Sequence, residues 1–508
     1  MLSFLWRRLL AGLATLFVST FAMYLLVSAS MDPFQDLRQS TNPNKAQLIA
    51  DRIALLDLNT PVVIRYFKWL GDLLHGDLGV AWVSGQSVST LLQGAIASTL
   101  QLVTAATVLA VIFGVAVGIV SALRQYSSFD YLIIFVSFLL YSLPAFWVAV
   151  LLKQWGAIGF NDFLADPVVS WAVIVFIALL AGLLWSLAIG GDVKQRLFTF
   201  GIAAVATFAM FAYLQITDWW TTPNINPLLL AILGTATALA ITTLSAGLKN
   251  RRALGASLTV VAIGLFLYLP MRIFFSNVDE SWLMMLGLAI VTVAVGIGVG
   301  YAWGGPDRGV SARTAGLTAF VVAGMIFVDR VMAVWPAYNA APSIGGRPIA
   351  TIGDRTPNLG GNFWVQTLDT FTHLVLPTIA LLLIGFAAYT RYSRASMLEV
   401  MNQDYIRTAR SKGLPERTVI MRHGFRNTLI PLATVVPIDI ITLLGGAIIT
   451  ERVFARPGMG TLFLHSLTQA EIDPVMAYLL IVAALAIIAN IVADLIYAAL
   501  DPRIRVNA

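Results

Sequence analysis

The chain reads as an all-α polytopic membrane protein of about twelve transmembrane helices, and three observations carry that expectation. Of its 508 residues, 58% are hydrophobic and only 11% charged, and the mean hydropathy is +0.83, more apolar surface than a water-soluble core could hide. The apolar residues fall in long uncharged runs separated by short polar connectors, the pattern a bilayer imposes on helices of roughly 20 residues. The connectors alternate between basic and acidic, as the positive-inside rule expects of successive loops.

Taken in order, the first run, at 9–27, follows Arg7 and Arg8. It is long enough to span and lacks a small-residue cleavage site at its end, so it reads as a retained first helix rather than a cleaved signal. Residues 31–95 contain Pro33, Pro43, Pro61 and Gly76-Asp77-Leu78-Gly79; too hydrophilic to cross, they should form a folded external loop. Spans at 100–120 and 132–152 come next, joined by a connector whose Arg124 suits the cytoplasm. Six further runs follow, at 168–189, 197–214, 228–248, 254–268, 283–302 and 314–327. Their basic connectors are Asp192-Val193-Lys194-Gln195-Arg196, Lys249-Asn250-Arg251-Arg252, and Asp307-Arg308 with Arg313; the others, with Asp218-Trp219-Trp220 and Asp279-Glu280-Ser281-Trp282, are acidic and Trp-rich. The runs at 254–268 and 314–327 are short unless neighbouring residues extend them, and either could be re-entrant. A second external segment, 335–372, precedes the last spans at 374–388, 429–449 and 475–500. The connector 391–426 holds eight Lys or Arg against three acids and belongs in the cytoplasm, with both termini on the same side.

The net charge of +6 follows from these topology-setting connectors and does not call for nucleic acid as a partner. With no cysteine, disulfides, thiolate metal sites and cysteine nucleophiles are excluded. The four His residues are scattered without metal-ligand spacing. No nucleophile–base constellation marks a polytopic enzyme. No G-x-x-x-x-G-K-[ST] phosphate loop occurs, so the chain is not a nucleotidase by that route.

The informative stretch lies in the long basic connector, from Tyr405-Ile406-Arg407-Thr408-Ala409-Arg410-Ser411-Lys412 through Gly413-Leu414-Pro415-Glu416-Arg417 to His423 and Pro431. It predicts helix, break, helix: Tyr405 to Lys412 holds no breaker, Gly413 can adopt the positive φ that ends a helix, and Pro415 suits the first turn of the next. A short helix across the cytoplasmic face is shaped to fit a cleft on a partner, and the same residues would also fit a solvated basic loop that only enforces topology.

This stretch resembles the cytoplasmic "EAA" loop of type I ABC-importer permeases in the form used by the dipeptide and oligopeptide permease family. Ala409 and Gly413 stand at the Ala and Gly of that motif, and His423 to Pro431 resembles the family's H-x-x-R-N-x-x-x-P ending. Other stretches agree in order: Tyr66-Phe67-Lys68-Trp69-Leu70, Ser142-Leu143-Pro144-Ala145-Phe146-Trp147, Leu376-Pro377-Thr378, Glu451-Arg452-Val453-Phe454 with Pro457-Gly458-Met459-Gly460, and Leu500-Asp501-Pro502-Arg503-Ile504-Arg505. The resemblance covers 1–155 and 336–508, six helices in all, and leaves 156–335 as an insertion of six more, where a weak three-plus-three repeat is conceivable. It implies a permease subunit of an ATP-driven importer of peptides or similar small solutes in the cytoplasmic membrane. The implied partners are a homologous second permease, two ATP-binding subunits that hold ATP and Mg, and an external solute-binding protein; the chain itself would hold no cofactor. It further implies that Tyr405, Arg407, Ala409, Arg410, Lys412, Gly413, Glu416 and Arg417 form an ATPase-coupling loop.

Intramembrane polar residues are the default pore candidates, because burying a charge in lipid is costly. Asp439, mid-span and two residues beyond Pro437, would face a wet cavity or pair with another helix or the partner permease. Asn490 and Asp494 should lock helix packing, and Asp329-Arg330 should reach the interface by snorkelling. The insertion, with few intramembrane polar groups, reads as lipid-facing bulk or a docking surface rather than a separate transport path. A secondary, ion-coupled transporter is the alternative class, since it too can have twelve helices and buried acids, but it has no need of the Ala409–Gly413 motif.

Overall fold

The computed structural model describes residues 2–38, 41, 43–305 and 308–500, with the side chains of 2–5, 36, 444, 446 and 493–500 left aside. Asp307, the side chain of Asp494 and the terminal 501–505 stretch therefore lie outside the described residues. Among the described residues, eleven helices are long and apolar enough to cross a membrane, or twelve if a bent pair is one span. The chain is thus an all-α polytopic membrane protein, as expected where every backbone polar group must be satisfied away from water.

The first helix, α1 (Leu2–Ser30), is capped by a short helix, α2 (Val62–Leu74). Tyr66 and Trp69 of α2 are buried against Phe21 and Tyr24 of α1, and the Tyr66 hydroxyl lies 3.0 Å from that of Thr20. A two-stranded hairpin, β1 (Val80–Ala81) with β2 (Gln86–Ser87), leads into α3 (Val88–Leu123). Gly79 turns into it at φ +83°, and a Cβ there would lie 2.3 Å from Asp473 Oδ2. The segment expected to be an external loop is therefore a packing cap over the ends of α1 and the last helix.

The third span differs from expectation. The sequence suggested one helix over 132–152, but α4 (Ser128–Ser142) stops at Leu143-Pro144 and α5 (Ala145–Leu151) departs at 99°. α5 runs on through π-helical turns over Leu152–Gly159 into Phe160–Ala165. Leu143 is extended (ψ 130°), the conformation forced on a residue before proline. Fifteen residues of α4 rise only about 22 Å, short of the roughly 30 Å hydrocarbon thickness. The bent arm lies on Leu376 and Ala380 of a later helix and on Phe454, and Asn161 exchanges two hydrogen bonds with the Ile349 backbone (2.8 and 2.9 Å).

Six helices follow: α6 (Trp171–Ile189), α7 (Val193–Ile216), α8 (Pro227–Ser245), α9 (Arg251–Asn277), α10 (Trp282–Trp303) and α11 (Arg308–Met332). The two helices expected to be short, at 254–268 and 314–327, are extended by their flanks to full spans, so the only bent candidate for re-entry among the described residues is α4 with α5. By their contacts the six group as two plus four. α6 and α7 pair and lean on α4, whereas α8 to α11 pack on one another. Within the four, Gly296 and Gly300 bring α10 against α11, a Cβ at Gly300 falling 2.3 Å from the Ala312 Cα; small residues four apart allow such close approach.

The central pair is α3 with α12 (Phe363–Met401), a single helix of 39 residues. Gly114 and Gly118 of α3 receive Tyr389, Thr390 and Ser393 of α12, and Gly385 receives Ala110. Beyond α12 come α13 (Asp404–Ser411), the turn at Gly413, and a rising segment that is π-helical over Val419–Phe425 before it becomes α14 (Arg426–Gly446). Short helices α15 (Ile448–Val453) and α16 (Met459–Thr468) lead to α17 (Ile472–Leu500), which packs on α14 and α1.

Candidate functional site at the basic connector

The helix–break–helix expectation holds, with one adjustment. α13 ends at Ser411, and Gly413 has φ +71°. The Gly413 N–H donates to the Arg410 carbonyl (2.9 Å), and that of Leu414 reaches the Ala409 carbonyl at 3.4 Å. Such a left-handed glycine closes a helix by satisfying its last carbonyls. Pro415 sits just before the next helix, which begins at Glu416, rather than within its first turn.

The two faces of α13 differ. Ile406 and Ala409 are buried with Val419 and against Met401, so Ala409 seats the helix on its own chain. Tyr405, Arg407, Lys412, Gly413 and Leu414 are exposed. Arg410 and Glu416 grip each other across the turn, Arg410 donating through Nη2 (2.7 Å) and Nε (3.2 Å); that contact raises the already high guanidinium pKa of Arg410. Arg407 lies 3.6 Å from Asp404. Arg417 turns the other way, donating to the Thr243 carbonyl at 2.7 Å and the Leu244 carbonyl at 3.0 Å, at the end of α8. The structure thus brings seven of the eight loop residues together around one turn and assigns the eighth to a contact with the six-helix region.

Above the loop, Asp130 at the start of α4 is fully buried. It accepts from Arg394 Nε (2.7 Å) and Nη2 (2.9 Å), from Ser121 Oγ (2.5 Å) and from the Tyr126 N–H (3.0 Å). Buried carboxylates need such partners. Sequence reasoning left Asp130 as part of a connector. The available signal was Ser127-Ser128-Phe129-Asp130, a Ser followed three residues later by an acid at a span's start; the Ser127 side chain does cap α4.

Asp439 is half-buried in α14 and accepts from the Tyr389 hydroxyl of α12 at 2.9 Å. Of the alternatives left open, pairing with another helix is the one seen. Asp329 is no snorkelling residue: 8% exposed, it accepts from the Ile225 N–H (2.8 Å) and the Tyr268 hydroxyl (2.9 Å), tying the segment just before α8, and α9, to α11. Arg330 reaches over the Trp364 ring at 5.5 Å. Asn490 is exposed on α17.

At the opposite face, Glu451 is buried and accepts from Thr99 Oγ1 (2.6 Å) and from the N–H groups of Gly460 (2.9 Å) and Thr461 (3.2 Å). A Cβ at Gly458 would fall 2.1 Å from Glu451 Oε1, which explains the Pro457-Gly458-Met459-Gly460 run: a carboxylate fills the N-terminal end of α16. Arg456 nearby is also buried, and burial presses its guanidinium pKa down. Asp369 organises the segment 335–372, accepting from the Tyr338 hydroxyl (2.9 Å) and from Thr356 through N–H (2.8 Å) and Oγ1 (2.6 Å). Beside it opens a cleft of about 210 Å³ lined by Asn161, Arg347, Arg355 and His373. Among the described residues no cluster of three or more His, Asp or Glu side chains could hold a metal.

Residues 314–506 match the family model described as the binding-protein-dependent transport system inner membrane component. The chain is 35% identical over 188 residues to the oligopeptide transport system permease protein OppB of Mycobacterium tuberculosis, covering 37% of this chain and 56% of the relative. It is 44% identical over 136 residues to the oligopeptide transport system permease protein AppB of Bacillus subtilis (27% and 43%). It is 43% identical over 145 residues to the dipeptide transport system permease protein DppB of Escherichia coli (28% and 42%). The aligned part spans about half the length of these curated relatives. All three relatives are peptide-transport permease proteins by name, and the many apolar helices of this chain make it a multi-pass membrane protein.

Proposed function

From the permease-family match of residues 314–506, we propose that this chain is a membrane-spanning subunit of an ATP-driven importer that moves peptides or similar small solutes across the cytoplasmic membrane. ATP and Mg are bound by two partner subunits, and a homologous second permease and an external solute-binding protein complete the assembly. The face bearing 391–426 is cytoplasmic, as are both termini. Residues 1–155 and 336–508 form the permease core, with 156–335 inserted into it.

The observation that carries this reading is α13. It is short, seated on its own chain by Ile406 and Ala409 and locked by the Arg410–Glu416 pair, and it leaves Tyr405, Arg407, Lys412 and Leu414 presented outward. A docking helix needs that combination, being rigid toward its own molecule and open toward a partner. Displacing it must move what it is attached to. On one side that is α12, continuous from Phe363 to Met401; on the other it is the rising segment into α14. The Tyr389–Asp439 bond joins those two helices in mid-membrane, where Asp439 is half-exposed and available to the translocation path. Transmission requires that the loop make different contacts in two states of the assembly.

The test is purification of the tagged chain in mild detergent, identification of co-purifying proteins and assay of ATP hydrolysis. Recovery of a second permease with ATP-binding subunits is the expected result. A lone chain indifferent to ATP would overturn the reading and favour an ion-coupled transporter.

A further inference from the structure

Of the six extra helices, α6 leans on α4, and the group α8 to α11 is attached to the rest of the chain at both membrane faces. On the face away from the loop, Trp364 at the start of α12 is fully buried. Phe275 of α9 stands at 5.1 Å and Phe327 of α11 at 5.7 Å, ring centre to ring centre, and Trp364 Nε1 donates to Glu280. On the loop face, Arg417 leaves the connector and caps the C-terminal end of α8 through the Thr243 and Leu244 carbonyls. Gly247 makes room for it: its φ is +80°, and a Cβ there would fall 2.1 Å from Arg417 Nη1. A cation on a helix's last carbonyls satisfies acceptors with no partner inside the helix and complements the helix dipole.

Arg417 lies four residues past Gly413 and adjoins Glu416, which is held by Arg410. A chain of contacts therefore runs from α13 through Arg410–Glu416 and Arg417 to the end of α8, up the four-helix group, and back to the far end of α12 at Trp364. Moving α13 relative to the four helices must break the Arg417 contacts or carry the group along.

We propose that the four helices α8 to α11 are a strut that restrains the coupling loop, with Arg417 as its latch, so that the inserted region sets how readily the loop moves and how fast the assembly turns over ATP. This rests on the importer reading for its consequence but not for its geometry. Breaking the latch removes a load from the loop. ATP hydrolysis by the complex purified with the tagged Arg417→Ala chain should then rise by roughly two- to fivefold, the factor that corresponds to one cation at a helix terminus. Arg313→Ala, at a guanidinium turned to the Gly309 carbonyl of its own helix (3.1 Å), should leave the rate unchanged.

The chain has no cysteine, so Thr243→Cys with Thr418→Cys, keeping Arg417, tests the geometry alone. A short bismaleimide should cross-link the pair in native membranes, and adding Arg417→Ala should lower the yield at least about twofold, consistent with the same contact. Absence of cross-linking overturns the strut whatever the protein's function. Cross-linking with an Arg417→Ala complex that hydrolyses ATP at the wild-type rate overturns the restraint. Failure to recover any ATP-binding subunit overturns the importer reading and leaves the cross-linking result to decide the geometry.

Discussion

Replacing Asp130 tests whether the lower ends of α3, α4 and α12 act as one piece. Four donors converge on its carboxylate, two from Arg394 and one each from Ser121 and the Tyr126 backbone. Asp130→Ala removes the acceptor and strands a guanidinium that is 21% exposed in its side chain. Breaking a buried pair by deleting one partner costs about 3–5 kcal/mol; because Arg394 retains some access to water, the cost belongs near 3 kcal/mol, the low end of that range. Asp130→Asn keeps the shape and one acceptor oxygen but not the charge, so it should lose less, and Asp130→Ala with Arg394→Met should recover part of the loss, since the uncompensated cation is gone. The assay is thermal aggregation of the purified chain in detergent, with the double-mutant cycle giving the coupling. If Asp130→Ala melts within a degree of wild type, or the double variant is no better than the single, the carboxylate is not what joins the three helices.

Three further outcomes follow from buried contacts. Gly300→Val places a branched side chain where even a Cβ would lie 2.3 Å from the Ala312 Cα; a backbone atom cannot rotate away, so the α10–α11 pair should open at a cost of about 1–3 kcal/mol, read as a lower melting temperature, whereas Gly298→Ala, which meets nothing within 4 Å, should be silent. Glu451→Gln turns an amide N–H toward donors that now meet a carboxylate, and should cost about 1–3 kcal/mol, read as a lower melting temperature with insertion intact. Trp364→Ala empties a fully buried site in the aromatic cluster, costs about 3–5 kcal/mol, and should expose the connectors of α8 to α11 to proteolysis before the rest of the chain.

Much of the span pattern was legible because it follows from solvent: apolar length and connector charge are properties of single segments, and a bilayer acts on segments one at a time. What one segment cannot show is where it stops relative to a neighbour. The run at 254–268 looked short because its uninterrupted apolar stretch is short, yet the helix takes in polar flanks such as Arg252 and Arg272 and covers Arg251–Asn277. Pro144 was read as part of a motif rather than as a 99° break, since a proline at a helix start and one in a kink look alike in sequence. In the site, Gly413 was legible because positive φ is a local property, while Arg394, which pairs with Asp130, and the partners of Asp329, Asp439 and Arg417 lie 50 to 264 residues away. Arg417 shows the limit most plainly, because a cation in a basic connector looks the same whether it faces a partner protein or a helix end of its own chain.

Gly413 allows the turn and the partner contact to be separated. Its φ of +71° costs an L-residue roughly 1–2 kcal/mol, less for Asn, whose side chain tolerates the left-handed region, and more for a β-branched one. A Cβ there meets nothing within 4 Å on this chain, so within the isolated molecule only backbone strain distinguishes the variants. Gly413→Asn should keep the turn, and Gly413→Val should shift it by a penalty that, at 1.4 kcal/mol per tenfold, lowers its population several-fold or more. If the turn alone matters, solute uptake follows that order, with Asn near wild type and Val impaired. If an ATP-binding subunit packs on the open space over Gly413, both variants uncouple ATP hydrolysis from uptake while inserting normally, because any side chain fills that space. Normal uptake by Gly413→Val would sink the coupling-loop assignment outright, since neither the strained turn nor the occupied surface would then be needed.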